Sequence, residues 1–196
     1  MEESSTASVA EHLAGTVTAY EDTVAEGIDI TGKSRSDAEK LLLEKTKGLS
    51  VIWQDETVTA EEETGGAVRR ILDEIYGNGQ MKTGTFSFDM DSLEESFGAL
   101  AKELAGKWNR AAADSQLASF DKETGVYTYS EAKTGRTLNE EALVQGLMEA
   151  VKAGNYAAVK PEFSEISPKR SAAQAKEQYQ VIGSFTTKTT SNKNRN

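Results

Sequence analysis

The sequence predicts an α+β fold, with a mixed or antiparallel sheet and helices packed on it in two strand–helix halves. Two kinds of apolar spacing support this prediction. Short segments alternate apolar and polar residues, as strands do, and longer segments repeat apolar residues every three to four positions, as helices do. Glycines and helix-capping residues separate the segments. With 196 residues, 37% of them hydrophobic, the chain is long enough for one ordinary domain or two small ones.

Composition divides the chain into four expected segments. Residues 1–19 form a polar lead-in rich in Ser, Thr, Ala and Glu. Two α+β halves are expected over residues 20–85 and 86–168, because strand and helix patterns occur in the same order in each. Beyond Pro168 the charge balance becomes basic, so residues 169–196 are interpreted as a tail or the start of a further domain.

The first half begins with a strand and a helix. Ile28 and Ile30 alternate with polar residues between two glycines, which predicts a short half-buried strand. Ser34 or Ser36 is expected to cap the helix that follows, and residues 49–53 read as the next strand. The buried face of this helix is predicted to contain Ala38, Leu41, Leu42 and the stem of Lys45.

Two further helices are predicted in the middle of the chain. Gly65 and Gly66 are interpreted as the boundary before one of them. A strand containing Phe86 and Phe88 leads into the other, a long helix that Asp91 is expected to cap. The apolar faces comprise Val68, Ile71, Leu72 and Ile75 in the first helix, and Leu93, Phe97, Leu100, Ala101 and Leu104 in the second.

The pattern after these helices predicts a β-hairpin. Residues 117–120 and 126–129 are strand-like and flank residues 121–125, a polar loop that ends in glycine. Asn139 is then expected to cap a helix with an apolar face, and residues 156–163 to form a final strand.

Charge and cysteine content exclude several classes of function. Asp and Glu number 32 against 22 Lys and Arg, for a net charge of −10, and no basic stripe appears between residues 20 and 160. Nucleic acid is therefore not an expected partner. The absence of cysteine excludes disulfides and thiolate sites. No segment approaches the roughly 20 apolar residues of a membrane span, so membrane contact is expected only through a missing N-terminal anchor.

The residues of common catalytic sites are scarce. The single histidine, His12, lies in the lead-in, which argues against a Ser-His-Asp site. The many carboxylates are expected at helix caps and on solvated faces; a hydrolase, the alternative, would need two of them buried and convergent. Residues 89–94 lack the glycine and bidentate glutamate of a calcium loop. We therefore expect no enzymatic activity, no catalytic residue, no metal and no cofactor.

Aromatic side chains are the candidate binding residues, since sugar polymers are held by exposed rings beside polar groups. Trp53, Trp108, Tyr127 and Tyr129 are the candidates. Strand alternation places Tyr127 and Tyr129 on one face, which is either a binding surface or part of the core. Arg136 is expected to line the same hairpin or to be an ordinary surface residue. Tyr127, Tyr129 and Arg136 are the predicted binding residues.

Several segments resemble one family of exported proteins. Residues 27–41 resemble the opening of the peptidoglycan-binding region that precedes VanW domains in Gram-positive envelope proteins. Residues 86–89 and 133–139, each leading to a helix, are similar to the core of that region. Residues 182–187 and 191–196 resemble the first residues of a VanW domain, so the chain is expected to end where that domain starts.

The resemblance implies a non-catalytic extracytoplasmic module, wall-associated or membrane-anchored, in a Gram-positive-type bacterium. Its implied partner is peptidoglycan or another cell-wall component. A groove between the hairpin and the helix after Asn139 is expected to hold glycan or stem peptide. The alternative is a structural spacer or protein-interaction module with no glycan ligand.

Overall fold

The computed structural model describes residues 22–77 and 82–178. The expected lead-in with His12, and residues 182–187 and 191–196, which were expected to begin a further domain, lie outside the described residues. Within them, helices and small mixed or antiparallel sheets confirm the predicted α+β class. None of the described helices is long and apolar enough to cross a membrane.

The described residues form five helices and ten strands. The helices are α1 (Arg35–Thr46), α2 (Glu61–Tyr76), α3 (Met90–Trp108), α4 (Glu140–Lys152) and α5 (Ala172–Gln178). The strands are β1 (Thr23–Ala25), β2 (Ile28–Asp29), β3 (Ser50–Trp53), β4 (Glu56–Thr59), β5 (Gly84–Phe86), β6 (Leu117–Phe120), β7 (Tyr127–Tyr129), β8 (Gly135–Leu138), β9 (Ala158–Val159) and β10 (Phe163–Ile166).

Contacts group the chain into two compact units. Among the described residues, unit 1 contains 22–77, 82–109 and 137–164, and unit 2 contains 110–136 and 165–178. This grouping does not follow the consecutive halves expected at residues 20–85 and 86–168, because α4 and β9 belong to the same unit as the first elements of the chain. The expected halves stay a prediction.

Unit 1 contains two three-stranded sheets with the same construction. In one sheet β1 pairs antiparallel with β2 and parallel with β5; in the other β3 pairs antiparallel with β4 and parallel with β9. Each sheet is therefore a hairpin extended by a later strand. The parallel partner can arrive only after a crossover connection, which explains why helices separate it from the hairpin.

The hydrophobic core lies in unit 1 and is built from the helix faces that the apolar spacing predicted. Every predicted apolar position of α2 and α3 is buried. In α4, Leu143, Leu147 and Val151 are buried, and Asn139 caps the helix by accepting a hydrogen bond from the backbone N–H of Ala142 at 3.1 Å. Burial of one stripe per helix is the main source of stability in such elements.

Helix α1 differs from the prediction in its buried face. Ser34 caps it, since the Ser34 hydroxyl accepts a hydrogen bond from the backbone N–H of Asp37 at 3.2 Å. Leu41, expected in the core, is 40% exposed. The buried stripe runs in steps of four residues through Ala38, Leu42 and Thr46, which leaves Leu41 to one side of it.

The starts of α2 and α3 also differ. Gly65 and Gly66 lie inside α2, not before it, because the helix already begins at Glu61 with three acidic residues that favour its N-terminus. Asp89, not Asp91, caps α3: its carboxylate accepts hydrogen bonds from the N–H of Ser92 at 3.3 Å and from the Ser92 hydroxyl at 2.7 Å. Asp91 lies in the first turn of the helix.

The predicted final strand over residues 156–163 is wrong. Two strands are present instead, with β9 paired to β3 and β10 paired to β8. Pro161 lies between them, and proline has no N–H to contribute to a strand ladder. Part of the segment interpreted as a basic tail is helical, since α5 lies within it.

Candidate functional site

The predicted β-hairpin is present and places Tyr127 and Tyr129 on one face. In the antiparallel register Leu117 lies opposite Tyr129 and Phe120 opposite Tyr127. Leu117 and Phe120 are three residues apart, and an irregularity in β6 between Leu117 and Ser119 brings both to the same face. We call these four side chains, Leu117, Phe120, Tyr127 and Tyr129, the hairpin face.

The hairpin face is open to solvent at its aliphatic and phenyl side chains. Phe120 is 46% exposed and Leu117 is 39% exposed, while the two tyrosines are half-buried. The rings of Phe120 and Tyr127 lie 4.5 Å apart between centroids and are tilted by 33°. This spacing is typical of a stacked aromatic pair. The face is therefore a partly exposed surface and does not belong to the core cluster.

The loop of the hairpin is held by its own side chains. The Asp121 carboxylate accepts hydrogen bonds from the Thr124 hydroxyl at 2.7 Å and from the backbone N–H groups of Glu123 and Thr124 at 2.8 and 3.3 Å. These bonds lower the pKa of Asp121, and the bond from the Thr124 hydroxyl has the largest effect. Gly125 closes the loop with a φ of +70°, which favours glycine. The loop thus fixes Phe120 and the 53% exposed Val126 at its two ends.

Arg136, the third predicted binding residue, lies in β8 and belongs to unit 2 like the hairpin. It is half-buried, and its backbone exchanges hydrogen bonds with Arg110 at 2.7 and 2.9 Å. Gly135 precedes it, and a Cβ there would collide with the backbone of residues 110–112. The close approach of two backbones therefore positions Arg136, and its role in binding stays a prediction.

The rest of unit 2 is anchored by polar contacts. The Asp114 carboxylate accepts hydrogen bonds from the backbone N–H groups of Lys169 and Arg170 at 2.6 and 3.1 Å. Ser115, which is fully buried, donates from its hydroxyl to the carbonyl of Ser130 at 2.7 Å. These contacts join the base of the hairpin to the segment before α5.

The expected groove combined the hairpin with the helix after Asn139. The hairpin belongs to unit 2 and this helix, α4, belongs to unit 1. The groove therefore stays a prediction. The hairpin face lies within one unit and can be described by itself.

Trp53 and Trp108, the other aromatic candidates, lie together in unit 1. Both contact the ring of Phe163, with centroid distances of 4.9 Å from Trp53 and 6.4 Å from Trp108. Sequence reasoning did not single out Phe163, because only the fold brings its ring beside those of Trp53 and Trp108. The aromatic side chain of Phe163 was the one sequence feature that could have suggested its inclusion.

The carboxylates of the described residues form both local hydrogen bonds, as at Asp89, and long-range ones, as at Asp114. None of them is among the buried residues there, so the buried convergent pair that a hydrolase needs is absent from this part of the chain. Hydrogen bonds from Ser92 lower the pKa of Asp89, which caps a helix. Hydrogen bonds from Thr31 lower the pKa of Asp29 in the same way. Partial burial, chiefly, raises the pKa of Glu63.

The chain was compared with known protein families, sequences and structures. No family model, no curated protein sequence and no solved structure detectably matches the chain.

Proposed function

We propose that this chain is a non-catalytic, extracytoplasmic module that binds peptidoglycan or another cell-wall component, within a VanW-like envelope protein of a Gram-positive-type bacterium. The observation that supports the proposal is the hairpin face, where a solvent-exposed Phe120 ring lies against Tyr127 at 4.5 Å. A partly exposed pair of aromatic rings suits a polymer of pyranose sugars, because the C–H face of the sugar packs on the ring.

The polar groups of the same unit supply orientation. Tyr127 and Tyr129 each carry a hydroxyl that can donate and accept a hydrogen bond, and Arg136 carries a fork of donors. In our proposal these groups bind sugar hydroxyls or stem-peptide carbonyls.

Charge contributes little to the proposed binding. The chain carries a net charge of −10, so anionic wall polymers are repelled. Affinity then depends on ring stacking and hydrogen bonds, and salt should change it little.

A spacer or protein-interaction module with no glycan ligand is the second candidate. Exposed aliphatic side chains in unit 2 favour it, since Leu117, Val126 and Ile166 are 39%, 53% and 41% exposed. Apolar side chains of this kind suit a protein surface better than a sugar.

Co-sedimentation with purified peptidoglycan sacculi at low and high salt tests the proposal. We expect pelleting at both salt concentrations, and its loss in a double variant carrying Tyr127→Ala and Tyr129→Ala and in Phe120→Ala. The control is Leu41→Ala, which removes an apolar side chain of similar exposure, 40%, from unit 1. Folding of each variant is checked by circular dichroism. If the unmodified chain pellets at neither salt concentration, wall binding is overturned and the spacer module becomes the favoured function.

A further inference from the structure

Three aromatic side chains of unit 1 form a cluster at the edge of the core. Trp53 ends β3, Trp108 ends α3 and Phe163 begins β10. The centroid of the Trp53 ring lies 5.3 Å from that of Trp108 and 4.9 Å from that of Phe163. Trp108 is only 3% exposed, whereas Trp53 and Phe163 are half-buried. Trp108 is therefore the floor of the cluster, and the other two rings reach the surface.

A carboxylate is held beside these rings. Glu56 is the cross-strand partner of Trp53 in the β3–β4 hairpin, and it is exposed. Its Oε2 accepts a hydrogen bond from the indole Nε1–H of Trp108 at 2.7 Å. A carboxylate has about four acceptor sites, so this one bond orients the group and leaves capacity for a ligand donor.

The positions of Trp53 and Glu56 are set by a tight turn. Only Gln54 and Asp55 connect the two strands, and Gln54 has a φ of +53°. This left-handed conformation is uncommon outside glycine. The turn thus keeps the indole ring and the carboxylate adjacent.

We propose that Trp53, Phe163 and Glu56 form a second glycan-contact site, on unit 1, which takes one pyranose residue. The C–H face of the sugar packs on the exposed parts of the two rings, and a sugar hydroxyl donates a hydrogen bond to the Glu56 carboxylate. We call this the tryptophan platform. The proposed function enters only in identifying the cell wall as the source of the glycan.

Other ligands of aromatic sites fit the platform less well. A cage for a quaternary ammonium surrounds the cation with rings, but these rings contact one another at 4.9 to 6.4 Å between centroids and leave no space between them. A nucleotide could stack on Trp53, yet its phosphate would be repelled by Glu56 and by the net charge of −10. A neutral sugar avoids both problems.

Tryptophan emission tests the platform directly, because the chain has two tryptophans and both lie in the cluster. The whole chain is titrated with chitotetraose, a soluble tetramer of N-acetylglucosamine. We expect a saturable change in emission. Trp53→Phe should weaken binding about fivefold by reducing the stacking area, and Glu56→Gln about threefold, since the amide still accepts from Trp108 but loses the charge-assisted bond to the sugar.

Leu41→Ala, which removes an exposed apolar side chain of unit 1 outside both proposed sites, is the control and should leave this titration unchanged. The proposal is overturned if emission does not respond at about 10 mM sugar, which corresponds to very weak binding. It is also overturned if Trp53→Phe and Glu56→Gln bind as well as the unmodified chain, or if Leu41→Ala removes the response.

The failures of the two proposals are distinguishable. A chain that pellets with sacculi through its hairpin face, but shows no emission change, keeps the proposed function and loses the platform. A chain that binds chitotetraose at the platform, but does not pellet, keeps the platform and loses wall binding.

Discussion

Units 1 and 2 are stabilised in different ways. Every residue of the hydrophobic core cluster belongs to unit 1, including the largest fully buried side chain, Phe97. In unit 2 only Ser115, Gly135 and Ala175 are buried among the described residues, and the large apolar side chains Leu117, Phe120 and Val126 are exposed. Hydrogen bonds that Asp114 and Asp121 accept and that Ser115 donates hold unit 2 instead.

The difference shows how a chain can combine a stable scaffold with an exposed surface. Apolar burial contributes roughly 25 cal/mol per Å² and is not directional, so unit 1 obtains its stability from many contacts at once. Hydrogen bonds contribute about 1 kcal/mol each, and losing one partner has a large local effect. We therefore expect unit 2 to open at a lower free energy than unit 1.

The largest expected effect compares two phenylalanines. Phe97→Ala should lower the free energy of unfolding by about 3 to 5 kcal/mol, because it leaves a cavity in the core of unit 1. Phe120→Ala should lower it by less than about 1 kcal/mol, since that ring is 46% exposed. Urea denaturation followed by far-ultraviolet circular dichroism, which reports the secondary structure of both units, measures both values. Similar losses in the two variants would contradict the division between the units.

Removing the anchor of unit 2 should have an intermediate and local effect. Asp114→Ala deletes the acceptor for the backbone N–H groups of Lys169 and Arg170. Because these bonds involve a charged group, we expect the opening of unit 2 to become easier by about 1.5 to 3 kcal/mol. Native-state hydrogen exchange should show faster exchange in β6 and β7, with α3 unchanged.

Asp114→Asn is the control for that experiment. It keeps one acceptor oxygen without the charge, so its effect should be smaller. Equal acceleration of exchange in α3 and in the hairpin would show that the two units open together.

The smallest expected effect compares two tyrosines of unit 1. The Tyr76 hydroxyl donates a hydrogen bond to the carbonyl of Lys33 at 3.1 Å, so Tyr76→Phe should cost about 1 kcal/mol. The buried hydroxyl of Tyr156 has no hydrogen-bond partner among the described residues, so Tyr156→Phe should be neutral or slightly stabilising at pH 7. Thermal unfolding distinguishes the two. A clear loss in Tyr156→Phe would contradict the description of its hydroxyl.

The same tyrosine predicts a response to high pH. Burial raises the pKa of Tyr156 to about 12, with a contribution from the Glu26 carboxylate. An unfolded tyrosine titrates near pH 10, so above about pH 10 the unfolded state has released a proton that the folded state retains. The free energy of unfolding should therefore fall as the pH rises from about 10 to 12, and should not depend on this group below that range.

Tyr156→Phe should reduce the slope of that fall. Burial also raises the pKa of Tyr76, so part of the slope should persist in the variant. An unchanged slope would exclude Tyr156 as its source.

Local sequence patterns predicted much of the fold. The faces of α2, α3 and α4, the cap at Asn139 and the hairpin with Gly125 all depend on neighbouring residues, and the structure confirms them. The misplaced features depend on more than local spacing. Leu41 was expected in the core because its spacing is helical, but only packing decides which part of a wide apolar face is covered.

The candidate site was predictable in part. Strand alternation placed Tyr127 and Tyr129 on one face, and the register confirms this. It could not show that an irregularity in β6 turns Leu117 and Phe120 to the same face, because that depends on how two strands pair. Their roles in binding, and that of Arg136, stay predictions.

By itself, the sequence determined the α+β class, most helices and the hairpin, since helix and strand periods, caps and turn glycines act over a few residues. Only the tertiary structure decided that two hairpins each recruit a later parallel strand, β5 and β9, and that unit 2 is held by Asp114 and Ser115. It also decided that Phe163 joins Trp53 and Trp108. Apart from the bond between Ser115 and Ser130, these features join residues more than 50 positions apart, and such contacts form only when the whole chain packs.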